Sequence, residues 1–351
     1  MQTTFVSVSA QFDNLGDLLI RRRTLELARQ IGPVKVFAGD ADPDWIQSLE
    51  LKASEMIQRQ SAWFLRCVAT RRPVLFFAPG EFTLPLRQMP HELITLLLTA
   101  LVRLRGGQVI RVARSVANVH PLTGFVHALA CRISTSTTWR DRESCDQMQV
   151  GRVVPDIGLA EAPVEKHRGR CNRIVVAMRG DREYPPERWF QALSDVTKRY
   201  ELEPIVVVQV ERDGDRASMI ADRLAGGVLA WDPIRTRHER NLRQTYREAD
   251  VVITDRLHVF VLAAVEGALP LCLTSYRQRK LESVLGAVKL GHHVADLGGL
   301  EVSGRAPEDF IADRIDEREH SLQIIAEAAI ESRQAERAIL ALFSRDRGRS
   351  L

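Results

Sequence analysis

Residues 248–258 read Glu-Ala-Asp-Val-Val-Ile-Thr-Asp-Arg-Leu-His. Val251, Val252, Ile253 and Thr254 form a β-branched run without polar alternation, the pattern of a strand covered on both faces of a parallel sheet. Apolar residues continue from Leu257 over the length of a helix, so the intervening residues turn a buried strand directly into a buried helix. In open parallel sheets, ligands bind beyond the carboxyl ends of strands and against helix N-termini. Arg256 and His258 stand two apart on this turn, with Leu257 between them as a packing anchor. The helix adds its partial positive charge and free N–H groups at the same place. The result is a compact anion site with one member that titrates near neutral pH. A lone histidine at a helix start is more often structural, but an arginine and a histidine together at such a junction favour function.

The pattern extends outward from this junction. Apolar runs at 174–178 and 205–210 predict central strands, and 271–273 another. In the first half, strands are expected at 5–8, 34–37, 74–77 and 108–112, alternating with helices at 18–31, 93–103 and 125–131; the chain returns to the sheet near Trp139. Such alternation implies parallel βαβ units. The polar stretch 161–172, EAPVEKHRGRCN, interrupts it and reads as a linker. The expected architecture is α/β: two Rossmann-like, doubly wound parallel-sheet domains facing a cleft. They are expected at 1–165 and 166–302, with a helical segment at 303–351 packing across them. The apolar runs at 93–104 and 259–264 read as buried helices, since neither approaches the roughly 18 residues of a membrane span.

Composition narrows the function. The 351 residues are 45% hydrophobic and 27% charged, with a formal charge of 49 − 45 = +4. That mild excess, locally clustered at Arg21–Arg23 and between Arg235 and Arg247, suits small anions or a membrane surface better than nucleic acid. The five cysteines form no CxxC pair, which argues against a disulfide framework or structural zinc and for a reducing compartment. Without a basic-then-apolar leader, the expectation is a cytoplasmic protein, acting there or at the inner face of the membrane.

Two further strand-to-helix junctions carry candidates. Asp13-Asn14-Leu15-Gly16-Asp17 follows the first strand; Asn and Gly suit a tight turn at positive φ, and Asp suits a helix cap. It reads equally as a well-made turn or as a hydrogen-bonding wall for a polyhydroxylated acceptor. It lacks GxGxxG, which disfavours a nicotinamide dehydrogenase. At Met178-Arg179-Gly180-Asp181 an arginine at a strand end can aim its planar fork at a carboxylate or phosphate, or simply pair with Asp181 or Glu183. His292 and His293 read as solvated loop residues. HExxH and GxSxG are absent, no protein-bound metal or cofactor is expected, and Cys272, inside an apolar run, would be inert.

Together these elements resemble the polysaccharide pyruvyl transferase family, from Asp13 to about Leu290. DNLGD is similar to the family's N-x-G-D element, Arg140-Asp141 with Ser144 to R-D-x-x-S, and Pro155-Asp156 to the P-D that follows. EADVVITDRLH resembles its most specific signature, and Gly267, Pro270 and Tyr276 the G-x-P and Tyr elements behind it. Val259 stands where the family commonly has glycine, and 78–82, Ala-Pro-Gly-Glu-Phe, where it is usually glycine-rich.

The resemblance implies a glycosyltransferase-B-like fold. It also implies transfer from phosphoenolpyruvate, a co-substrate, onto two hydroxyls of a sugar or lipid-linked oligosaccharide, giving a ketal and phosphate. Arg179, Arg256 and His258 would hold the donor, and Asn14, Gly16 and Asp17 the acceptor. His258 would be the acid, and Asp13 or Asp17 the base. Arg140, Asp141 and Asp156 would maintain the fold. The competing readings are a nucleotide-sugar glycosyltransferase, with Glu266 on a ribose, and a non-catalytic carbohydrate-binding homologue.

Overall fold

The computed structural model describes residues 2–8, 14–163 and 171–344. Among them run two parallel sheets. The first contains β1 (Thr4–Ser7), β2 (Val34–Phe37), β3 (Val74–Phe77), β4 (Gly80–Thr83), β5 (Gln108–Ala117), β6 (Ser136–Trp139) and β7 (Arg152–Val153). Its order is β2-β1-β3-β5-β6-β7, with β4 beside the second half of β5. The second contains β8 (Arg173–Ala177), β9 (Glu203–Val207), β10 (Gly227–Leu229), β11 (Val251–Thr254), β12 (Leu269–Thr274) and β13 (Val294–Asp296), in the order β10-β9-β8-β11-β12-β13. Helices lie between successive strands within each sheet, as parallel pairing requires, except between β3 and β4, which only Ala78 and Pro79 separate and which pair with β5 and not with each other.

The apolar runs occupy the centres of the sheets. β8 and β11 pair from Ile174 opposite Val251 to Ala177 opposite Thr254, and both strands are buried almost throughout. Thr254 Oγ1 donates to the carbonyl of Ala177 at 2.7 Å, so the loops that follow these strands leave the sheet side by side. Ile174, Val176, Ile253 and Leu271 form the apolar centre with Trp189 and Leu193 from the helix Glu187–Tyr200.

The chain divides into two compact units. Met1–Phe12, Asp17–Ile157 and Glu331–Leu351 form the first; Asp13–Gly16 and Gly158–Ile330 form the second. Two helices, Leu15–Ile31 and Arg318–Ser344, therefore each contribute residues to both. Of the expected linker, residues 164–170 lie outside the described residues.

Three expectations need correction. The run 93–104 does belong to a helix, Met89–Leu104, but only one side of it is buried. Leu98 and Val102 face inward while Leu93, Ile94 and Leu97 are exposed; the run is apolar on both sides, which hides the helical period. His293 is not solvated. It is fully buried, with Nδ1 at 3.0 Å from the Pro270 carbonyl and Nε2 at 3.0 Å from Ser321 Oγ. Gly16 lies inside the helix Leu15–Ile31 and not in a turn at positive φ.

Candidate functional site

Four neighbouring strands of the second unit, β9, β8, β11 and β12, send their carboxyl-end loops to one place. The loop after β11 supplies Asp255, Arg256 and His258. Asp255 is buried and holds two loops at once: Oδ1 accepts from the backbone N–H of Arg179 at 3.0 Å, and Oδ2 from the Tyr276 hydroxyl at 2.8 Å. Burial pushes its carboxyl upward, against the opposing pull of those bonds and of Arg256. Thr274 Oγ1 donates to the Tyr276 carbonyl at 2.6 Å, and Gln278 Nε2 donates to the Tyr276 hydroxyl at 3.0 Å. The position of the tyrosine is thereby fixed.

Arg256 is buried and ion-paired through Nη2 with Oδ2 of the buried Asp213, which comes from the loop after β9. Asp213 Oδ1 accepts from the N–H of Gly180 at 2.8 Å, so one carboxylate aligns both the guanidinium and the loop after β8. A Cβ on Gly180 would stand 3.0 Å from the Arg212 carbonyl oxygen, which leaves little room for any other residue. The Arg256 amide donates to Thr254 Oγ1 at 3.0 Å. Among the described residues its buried Nε meets no acceptor, which leaves one donor for a ligand. The fork of Arg179 is engaged by Asp181, with Nε to Oδ1 at 2.8 Å and Nη2 to Oδ2 at 2.7 Å. That bond holds the Asp181 carboxyl well below its usual range and raises Arg179. The pair is partly exposed, so a bound anion can compete with Asp181 for the fork.

His258 occupies the first turn of the helix Leu257–Val265, whose N-terminus no side chain caps. Its ring lies against the backbone of Gly16. A Cβ built on Gly16 would be 2.1 Å from His258 Cβ, 2.6 Å from Cγ and 2.7 Å from Nδ1. Glycine is required here by close approach. Asn14 Oδ1 accepts from the Gly16 N–H at 3.0 Å, and Asn14 forms an isolated antiparallel bridge with Val210. The Asn-Leu-Gly element thus packs within the second unit, beside the donor-side candidates and the loop that leads to Asp213.

The remaining candidates are distributed as follows. Asp13 lies outside the described residues. Asp17 follows Gly16 in the first turn of the same helix and acts electrostatically on Arg21. Arg140 and Asp156 form a fully buried ion pair at 3.0 Å. Asp141 caps the helix Arg142–Met148 by accepting from Ser144 N at 2.7 Å, while Ser144 Oγ accepts from Val116 N at 2.9 Å. Glu266, which the glycosyltransferase reading would place on a ribose, is buried and bonded to Arg243 Nη1 at 2.8 Å and Arg247 Nη2 at 2.6 Å. Burial drives the Cys272 thiol far up. Among the described residues, no group of three or more His, Cys, Asp or Glu is placed to hold a metal, and no helix is long and apolar enough to cross a membrane. Sequence reasoning missed Asp213; the only signal was an acidic turn, Glu211-Arg-Asp-Gly214, after an apolar strand.

A family model described as polysaccharide pyruvyl transferase matches residues 14–273. No curated protein matches the chain. Solved structures do. A putative UDP-N-acetylglucosamine 2-epimerase from Listeria monocytogenes is 12% identical, with a TM-score of 0.57, over 98% of this chain and 97% of that one. Anabaena Alr3699/HepE in complex with UDP-glucose is 11% identical, with a TM-score of 0.51, over 99% and 100%. The UDP-GlcNAc 2-epimerase of Methanocaldococcus jannaschii is 10% identical, with a TM-score of 0.51, over 90% and 92%. At such identities the likeness shows the fold, the glycosyltransferase-B-like pairing of two Rossmann-like halves.

Proposed function

This chain belongs to the polysaccharide pyruvyl transferase family, and from that premise we propose that it converts phosphoenolpyruvate and a sugar diol of a cell-surface or exopolysaccharide precursor into a pyruvate ketal and inorganic phosphate. The observation that carries this reading is the convergence of Arg179, Arg256 and His258 on adjacent strand ends, with Gly16 against the histidine ring. Phosphoenolpyruvate carries a carboxylate and a phosphate, and two guanidiniums beside an uncapped helix N-terminus match those two anions.

The chemistry follows from the enol. His258 delivers a proton to the methylene carbon, and C2 gains cationic character that its oxygen substituents share. One sugar hydroxyl adds to C2 and gives up its proton; Asp17, next to Gly16, is the base proposed among the described residues. A second hydroxyl then attacks C2 and loses its proton to the His258 imidazole, which the first step left neutral, as the C2–O bond to phosphate breaks and phosphate leaves with that electron pair. Arg256, held by Asp213, keeps its orientation throughout, which is preorganised stabilisation of the departing charge. Arg179 must exchange Asp181 for the ligand.

The test is phosphate release from phosphoenolpyruvate across a panel of sugar acceptors, with the ketal identified by mass. Acceptor-dependent release is expected. The reading fails if no acceptor supports release and phosphoenolpyruvate does not raise the melting temperature. Stabilisation by a nucleoside diphosphate instead would return the assignment to a glycosyltransferase.

A further inference from the structure

In the first unit, β5 breaks its own periodicity. Its register against β6 shifts between Arg111 and Arg114, and Ala113, buried within the strand, sits at φ +42°. A residue other than glycine in the left-handed region in the middle of a strand is strained. In an unbroken strand, residues three apart point to opposite faces. The bulge turns Arg111 and Arg114 to the same ring: Arg111 Cζ lies 4.1 Å from the Phe77 centroid and Arg114 Cζ 5.5 Å from it. Arg114 also lies 3.7 Å over the Phe82 ring.

The two guanidiniums are then treated differently. Arg111 is fully buried and donates to Ser134 Oγ at 3.0 Å and Thr99 Oγ1 at 3.3 Å, with Nη1 alone lacking an acceptor among the described residues. Arg114 is 5% exposed, and its Nε and Nη1 are buried without an acceptor among the described residues. No carboxylate among the described residues pairs with it; the nearby Glu92 is bonded to His127 Nδ1 at 2.7 Å. Like charges crowd it instead. Arg21 bonds the Pro79 carbonyl, and its Nη2 would stand 3.8 Å from a Cβ on Gly80, the residue registered opposite Arg114. Burial, followed by repulsion from Arg111, pushes the Arg114 guanidinium down to about 9.

A bulge that re-aims a side chain, a strained backbone at that bulge, and a buried cation with unsatisfied donors all meet in the carboxyl-terminal half of β5, three residues past the end of its pairing with β3, on the side of a parallel sheet where ligands bind. We propose that this is an oxyanion site, in which Arg114, over Phe82, holds a phosphate or carboxylate carried by the acceptor. Naming the acceptor as the bearer rests on the proposed transferase reading; the anion site itself does not.

The experiment is a melting-temperature titration of the full chain with inorganic phosphate, using wild type, Arg114→Met and Arg256→Gln. Wild type and Arg256→Gln should both melt higher with phosphate, whereas Arg114→Met should lose the rise that Arg256→Gln retains. Without any anion, Arg114→Met should melt at or above wild type, because an uncompensated buried charge has been replaced by an apolar chain of similar length. Glucuronate then replaces phosphate: a rise only with phosphate points to a phosphorylated acceptor, and a rise with glucuronate to an acidic sugar. The proposal is overturned if neither probe shifts the Arg256→Gln protein, if Arg114→Met keeps the full rise, or if both Arg114→Met and Arg114→Gln melt far below wild type. Failure of phosphoenolpyruvate-dependent phosphate release would remove the transferase reading and leave these results standing.

Discussion

Each unit buries an arginine on the carboxyl-end side of its parallel sheet, Arg256 just after β11 and Arg114 in the second half of β5, and the two residues have opposite surroundings. Arg256 meets Asp213 directly and has Asp255 as its chain neighbour, and its amide is tied to Thr254. Arg114 meets two aromatic rings and the charges of Arg111 and Arg21. The first arrangement is electrostatically closed before any ligand arrives. Its carboxylates orient the cation and offset its desolvation, at the expense of competing with an incoming anion. The second is open: the desolvation penalty stands until something negative binds. A site that must hold transition-state charge gains from fixed orientation, whereas a site that only needs to retain a ligand gains from an unmet charge.

The largest effect expected from testing this contrast is on turnover. His258→Ala, on the closed side, should slow phosphate release by about 10²–10⁴-fold if the histidine is the acid, while the melting temperature stays close to wild type. A variant that remains active would remove the acid role. Next comes stability. Arg256→Met leaves Asp213 buried without its cation and should cost about 3–5 kcal/mol in urea unfolding. Arg114→Met should cost nothing, or gain up to about 1–4 kcal/mol, as buried charges replaced by apolar chains often do. Urea midpoints that fall by similar amounts in both variants would erase the distinction.

How much of this was legible follows from which interactions are local. Strands 74–77 and 251–254 coincide with their expected runs, because a buried parallel strand must be free of polar alternation along its whole length; 34–37, at the sheet edge, coincides too, with Lys35 half-buried between the buried Val34 and Val36. β4 and β10 escaped because Gly-Glu-Phe-Thr and Gly-Val-Leu are short and largely exposed. β5 runs five residues past the expected end at 112 because its second half, Ala113–Ala117, buries Arg114 and Ser115, polar residues that a hydrophobicity pattern excludes. Arg256 and His258 were visible from residue type and spacing at a strand end. The carboxylates that set their chemistry were not: Asp213 is 43 residues from Arg256, and only the adjacency of β9, β8 and β11 brings it in. Gly16 was singled out for the wrong reason, since turn propensity is local and the approach of His258 is not.

Gly16→Ala sharpens that last point at a smaller scale. Within a helix the change alone should stabilise by about 1 kcal/mol. Here the new methyl would stand 2.1 Å from His258 Cβ, so a net loss of about 1–3 kcal/mol is expected from overpacking. His258→Ala retains its Cβ and should not relieve the clash, whereas His258→Gly should. A double-mutant cycle that shows no coupling between Gly16→Ala and His258→Gly would mean that the two backbones are farther apart in solution.

Tyr276→Phe is the smallest expected change and tests how tightly the closed side is held. Removing the hydroxyl deletes the 2.8 Å bond to Asp255 Oδ2, a loss of about 1 kcal/mol. The effect should depend on pH in a defined direction. Asp255 titrates above its ordinary value in the folded protein, chiefly through burial, so its ionised form opposes folding and stability falls as pH rises through that folded value. The tyrosine hydroxyl lowers this value, and its removal raises it further. The cost of Tyr276→Phe should therefore be largest near neutrality and shrink once acid protonates Asp255 in both states. Paired urea titrations at neutral and acidic pH give the comparison. A cost that stays constant across the range would show that the hydroxyl supports the fold without bearing on the charge of Asp255.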